Sequence, residues 1–171
     1  MRLTDEFTIP LAPDRVFELL LDLENVAPCV PGGEVDQADD KGVYPGRVTV
    51  KLGPMKFSYE GTLRISERDT QARTAVIEGA GLASGGAERA HVRSVMEVLP
   101  EGAGSRVRMS TDLEVRGRAA HMGAGIIGSV SRHMVKQAAE CLAARLAAAD
   151  ESAADDPDED DTAEQRAREP G

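Results

Sequence analysis

The feature that most constrains this chain is a change of period. Between residues 46 and 115 apolar and polar residues alternate in short segments; from about residue 119 to 148 apolar residues recur every three or four positions. Alternation is the mark of a sheet covered on one face, and the longer period is that of an amphipathic helix. Val48, Val50 and Leu52 share one parity in GRVTVKL, and Phe57, Tyr59, Leu63 and Ile65 share one in KFSYEGTLRI. AHVRSVMEVL puts Ala90, Val92, Met96 and Val98 on one face, and RVRMSTDLEV does the same with Val107, Met109, Leu113 and Val115; TAVIEGAGL is mixed. The breaks at GPM, ERDTQ and PEGAGS are too short for parallel crossovers, so the sheet is expected to be an antiparallel meander.

The flanks complete the outline. Leu3, Phe7 and Ile9 share a parity and predict a first strand, followed by a short helix from Pro13 to about Asn25 carrying Val16, Phe17, Leu20 and Leu23. Ala12 stands where a capping side chain would be, so that helix starts weakly. VAPCVPGGE then forces a turn: Pro28 and Pro31 disfavour helical geometry at the residues before them, and Gly32 and Gly33 are free to take positive φ. This turn is expected to bring Cys29 and Val30 near the sheet edge. At the other end, Met122, Ile126, Val130, Met134, Ala138, Cys141 and Leu142 form the stripe of a long helix. Gly123, Gly125 and Gly128 each cost it roughly 0.8–1 kcal/mol against Ala. Close packing on the sheet, room for a ligand or a mobile lid are the available compensations. The expected fold is α+β of the helix-grip type, six or seven curved antiparallel strands wrapped around a long C-terminal helix.

Composition narrows the partners. At 171 residues the chain suits one domain with a substantial core, expected over residues 1–149. The net charge of -10 is concentrated at the end: ten acids and two bases lie from Asp150 on, leaving roughly -2 on everything before it. Residues 150–171 have almost nothing to bury and are expected to be a disordered acidic tail, whose sharper role would be an electrostatic arm for a basic partner. No basic cluster marks a nucleic-acid face. No signal-peptide-like stretch or run of about 18 apolar residues is present, so a cytoplasmic monomer is expected. Cys29 and Cys141 lack metal-like spacing and are expected to be buried free thiols. His91, His121 and His133 show no ligand spacing, and GAGLASGG lacks the helix a phosphate loop needs, so neither a metal nor a nucleotide is expected.

Four stretches, PDRVFELLLDLENVAPCVPGGE, GRVTVKLGPMKFSYEGTLRISERD, EGAGLASGGAERA and VRGRAAHMGAGIIGSVSRHMV, resemble the CoxG-type family of carbon monoxide dehydrogenase proteins, within the START/SRPBCC superfamily, over about residues 1 to 148. Cys29, Pro31, Gly32, Gly53, Pro54, Gly61, Gly81, Gly117 and Gly123 carry the likeness. It implies a non-enzymatic accessory protein of a carbon-monoxide-dehydrogenase-type molybdenum hydroxylase. Such a protein would hold a lipid-like molecule such as a quinone in an apolar cavity, with no covalent cofactor, and would link the dehydrogenase to the membrane quinone pool. Longer relatives continue to an apolar C-terminal anchor; none follows residue 150 here, so membrane contact is expected to be peripheral, at the inner face.

The inward residues expected to bind the ligand are Val50, Phe57, Tyr59, Val92, Met96, Met109, Met122, Ile126, Val130 and Met134. Each is also an ordinary core residue by type, although flexible methionines suit irregular apolar ligands. Two other classes stay open. One is a general lipid or hydrophobic-metabolite binding protein. The other is a polyketide cyclase or dehydratase-like enzyme using Tyr59 or Asp112 as acid or base, against which Asp112 falls on the solvent-facing parity.

Overall fold

The computed structural model describes residues 1–154; the expected disordered tail from residue 155 on lies outside the described residues. Seven strands form one antiparallel sheet: β1 (Arg2–Ile9), β2 (Gly33–Val35), β3 (Val43–Leu52), β4 (Met55–Asp69), β5 (Thr74–Ala83), β6 (Glu88–Glu101) and β7 (Gly104–Arg116). Their order is β1-β7-β6-β5-β4-β3-β2, so the first strand closes beside the last and β2 is the far edge. From β3 to β7 successive strands are neighbours, the meander expected from the short breaks. Two of the links are two-residue turns, one between Leu52 and Met55 with Gly53 at φ 60°, the other between Glu101 and Gly104 with Gly102 at φ 56°.

The first helical segment is divided. α1 (Pro13–Leu20) buries Val16, Phe17 and Leu20, begins with Pro13 in its first turn, and has no side-chain cap at Ala12. The chain then bends at Leu21 and Asp22 before α2 (Leu23–Val26), and a single 3-10 turn over Ala27–Cys29 follows. The sequence pattern runs through this bend because Leu20 and Leu23 are both buried on either side of it. The turn into β2 uses Gly32 at φ 74°, where a β-carbon would lie 2.3 Å from the Thr49 carbonyl oxygen.

The terminal helix α3 (Ala124–Ala154) covers the sheet and runs past the expected end at Ala148. Before it, Arg118–Met122 form a 3-10 turn, and Gly123 at φ 90° separates the two. Gly123 therefore precedes the helix and costs it nothing. Gly128 packs toward β1, its notional β-carbon 3.7 Å from Leu3 Cδ2, whereas Gly125 meets nothing.

Two packed clusters hold helix and sheet together. One gathers Ile9, Val16, Phe17, Met96, Val98, Val107, Leu142 and Leu146; the other gathers Leu52, Phe57, Tyr59, Ala83 and Ala119. The sheet's outer face carries cross-strand ion pairs, among them Arg64–Glu78 at 2.8 Å and Arg108–Glu6 at 2.9 Å. Pairs this exposed contribute little each and mainly keep that face solvated.

The expectation of two free thiols is corrected: Cys29 and Cys141 form a disulfide, with Cα atoms 5.4 Å apart across 112 residues of sequence. Spacing along the chain gives no hint because the whole sheet intervenes; the wrap of the sheet returns α3 to the turn after α2. A crosslink closing so long a loop restricts the unfolded chain. Replacing both cysteines by serine is expected to lower stability by about 2–4 kcal/mol in urea titrations, and reductant should shift the wild-type midpoint but not that of the variant.

Candidate functional site

Between the two clusters the helix and sheet do not meet. A cavity of about 490 Å³ opens there, bounded by the inner face of β3–β7, by α2 and the turn after it, and by α3. Its floor is hollow because side chains are missing from it. Gly46 pairs with Gly61, Gly61 with Gly81, and Gly81 with Ala90, so four adjacent strands present a row of minimal residues in register. Gly79 lies on the same inward parity, paired with Leu63 and Val92. At Gly61 the strands approach so closely that a β-carbon would lie 1.8 Å from the Ala80 carbonyl oxygen. Only glycine fits such an approach.

The walls are aliphatic. Val48, Val50, Leu63, Val92, Leu113 and Val115 rise from the sheet; Leu23, Val26, Ala27 and Val30 close one side; Ile127, Val130, Met134, Val135 and Ala138 descend from α3. Two charged side chains reach the lining, Glu34 and Arg47, and they bind each other at 2.7 Å on the exposed rim. Tyr59 supplies the interior hydroxyl. It is 8% exposed, its ring stacks on Phe57 at 6.3 Å, and among the described residues its hydroxyl has no hydrogen-bond partner. Burial first, and then the negative charge of Glu88, push its pKa above the ordinary tyrosine value, so the phenol stays protonated.

Glu88 itself is 1% exposed and fully engaged. Its carboxylate accepts hydrogen bonds from the Arg118 and Ala119 backbone N–H groups at 2.8 and 3.1 Å, and from Arg118 Nε at 3.4 Å. These bonds hold its pKa below the usual carboxylate range, the Arg118 backbone donor contributing most. They also fix the 3-10 turn that leads into α3. Gly117, at φ 107°, makes room: a β-carbon there would lie 2.4 Å from Glu88 Oε2.

Five of the ten residues expected to contact a ligand line this cavity: Val50, Tyr59, Val92, Val130 and Met134. Phe57 is buried in the cluster beneath Tyr59, and Met96 lies in the opposite cluster with Met109 packed against it. Met122 packs against the Phe57 cluster near Gly53, and Ile126 is 43% exposed. A helical stripe phased on Met122 points Ile126 inward, but Gly123 breaks the helix there, so Ile127 takes the inward position instead. The glycine row is a floor that hydrophobic periodicity does not reveal, although the inward parity of Gly61 with Tyr59 and Leu63 is visible in the sequence. Asp112 lies on the outer face, bonded to Arg2 Nε at 3.1 Å, a bond that lowers its pKa. Among the described residues no group of three or more His, Cys, Asp or Glu comes together to hold a metal ion.

The model of the CoxG family, described as a component of carbon monoxide dehydrogenase, matches residues 6–147. The chain belongs to the CoxG family. Solved structures show how this CoxG fold is shared. A conserved protein from Geobacillus kaustophilus superposes with a TM-score of 0.75 at 13% identity, covering 86% of this chain and 95% of that one. An aromatase/cyclase from a Streptomyces species gives 0.58 at 15% identity, with coverage of 85% and 94%. A Thermus thermophilus protein gives 0.56 at 19%, with coverage of 82% and 95%. These likenesses establish the helix-grip, SRPBCC-type fold. Among curated proteins none matches the sequence significantly.

Two substitutions test how the site is built. Gly61→Ala is expected to cost at least the ~1–3 kcal/mol typical of overpacking, because it meets backbone. Gly79→Ala should cost less, its β-carbon meeting side-chain tips, Leu63 Cδ2 at 2.6 Å and Val92 Cγ1 at 3.0 Å; denaturant midpoints compare the two. For Glu88 the folded pKa is depressed, so its contribution is present above the unfolded carboxylate pKa of about 4.3 and is lost as pH falls through the lower folded value. Glu88→Gln should lower Tm at neutral pH and flatten the fall of Tm below about pH 4.

Proposed function

We propose that this CoxG-family protein is a non-enzymatic accessory of a carbon-monoxide-dehydrogenase-type molybdenum hydroxylase, carrying a hydrophobic molecule of the quinone class between the enzyme and the membrane quinone pool. The observation that carries this reading is the cavity: about 490 Å³, aliphatic on every wall, floored by glycine, and held open by packed clusters on either side. That volume falls in the range of small-molecule sites. Shielding an apolar molecule from water is worth about 25 cal/mol per Å² of surface, and a wall of Val, Leu, Ile and Met supplies that shielding without selecting a charged head.

The arrangement supports carriage over catalysis. Acid–base chemistry needs a proton donor or acceptor poised near the working pH. Tyr59 is moved away from that range, and Glu88 is committed to the backbone of the turn before α3. No helix among the described residues is long and apolar enough to cross a membrane, which agrees with peripheral contact by the carrier.

Native mass spectrometry of the purified protein, followed by organic extraction, tests the reading. A stoichiometric isoprenoid quinone, or uptake of added quinone at one per chain, is the expected result. Val130→Phe, which pushes a ring into the cavity, should reduce uptake by about tenfold or more while the fold persists. A protein that stays empty after exposure to both quinone and lipid overturns the carrier reading.

A further inference from the structure

Tyr59 is the one lining side chain that is polar, more than nine-tenths buried, and without a partner among the described residues. Of the other lining hydroxyls, Ser131 is half-buried and Thr62 is exposed, so water reaches both. A buried tyrosine hydroxyl ordinarily finds a hydrogen-bond partner, and leaving it without one is unfavourable. We propose that the Tyr59 hydroxyl donates a hydrogen bond to the carbonyl oxygen of a neutral apolar ligand, making the site selective for carbonyl-bearing molecules over fatty acids and plain hydrocarbons.

The inference rests on the carrier reading and narrows its ligand. The electrostatics around the phenol set the sign. Glu88, whose negative charge acts on Tyr59, disfavours an anionic head at this place. The one basic side chain in the lining, Arg47, lies on the rim and is neutralised by Glu34. A carboxylate would therefore enter with no counter-charge, which is costly in an apolar interior. A carbonyl needs only one donor, and the protonated phenol supplies it. Stacking of the Tyr59 ring on Phe57 holds the hydroxyl in place, so little side-chain freedom is lost on binding.

Three fluorescent probes test this on the full chain: prodan, a naphthyl ketone whose emission shifts to the red when its carbonyl accepts a hydrogen bond; N-phenylnaphthylamine, apolar and lacking a carbonyl; and cis-parinarate, a fatty-acid anion. Wild-type protein is expected to bind the ketone with hydrogen-bonded emission and to bind parinarate more weakly. Tyr59→Phe should weaken the ketone about fivefold to tenfold and shift its emission to the blue, leaving N-phenylnaphthylamine within about twofold. Equal loss or no loss for both neutral probes, bound ketone emitting as in hydrocarbon, or parinarate binding as tightly as the ketone overturns the role of Tyr59 while the carrier reading stands. Failure of the wild-type protein to bind any of the three overturns both. The emission of the wild-type complex reads the hydrogen bond directly and does not depend on the variant folding.

Discussion

A β-carbon at position 61 would sit 1.8 Å from the carbonyl oxygen of Ala80, and this backbone approach governs much of the rest of the molecule. It requires glycine, and Gly61 stands in register with Gly46 and Gly81 across three strands. A row without side chains lets the strands come close and leaves nothing projecting from the floor. An antiparallel sheet with one solvated face must bury the other. Here the covering helix meets a face that is apolar at both ends and vacant in the middle. The cavity is thus a consequence of backbone proximity, not of large side chains held apart.

Keeping the space open requires supports on both sides, because an unsupported apolar void loses packing contacts and favours collapse. The cluster around Phe17, Met96 and Leu142 packs the C-terminal half of α3, and the cluster around Phe57 and Ala119 packs the turn before it. Glu88 secures that turn with two backbone hydrogen bonds. The Cys29–Cys141 bond then ties α3 to the segment whose Val26, Ala27 and Val30 form a wall. Each device fixes the helix at a different height above the floor. The middle of α3 therefore spans the vacancy instead of settling into it.

Much of the architecture was legible in the sequence because it is written in period. Alternation located β3, β4, β6 and β7 and their buried faces, and the longer period located α3. What the sequence concealed is what depends on phase and on distance through space. Gly123 resets the helical register, so Ile127 and not Ile126 turns inward. The three-residue β2 was too short to carry a periodic signal. The disulfide joins cysteines 112 residues apart, and no local pattern encodes that meeting. Among the candidate ligand contacts, those lining the cavity sit beside the glycine row or on the middle turns of α3. Phe57, Met96 and Met109 share the inward parity but lie nearer the ends, where the clusters are filled. Parity tells which face a residue is on; only the location of the glycines tells whether that part of the face is packed or vacant.

The path into the cavity follows from the same geometry. The sheet is sealed at one side, where β1 pairs with β7 along eight residues. On the other side the edge strand β2 pairs with β3 through only three, Gly33–Val48, Glu34–Arg47 and Val35–Gly46. All six residues belong to the cavity lining. Local opening costs least where the fewest buried contacts and backbone bonds must break, which places the entrance between β2 and α3. The disulfide holds the preceding turn fixed, so opening there displaces a short strand without detaching the wall that follows α2. The exposed Glu34–Arg47 pair sits on this edge, and a pair so exposed adds little resistance. The aliphatic interior meets water at its most weakly held strand, the arrangement a protein needs if it is to shield an apolar molecule and still release it.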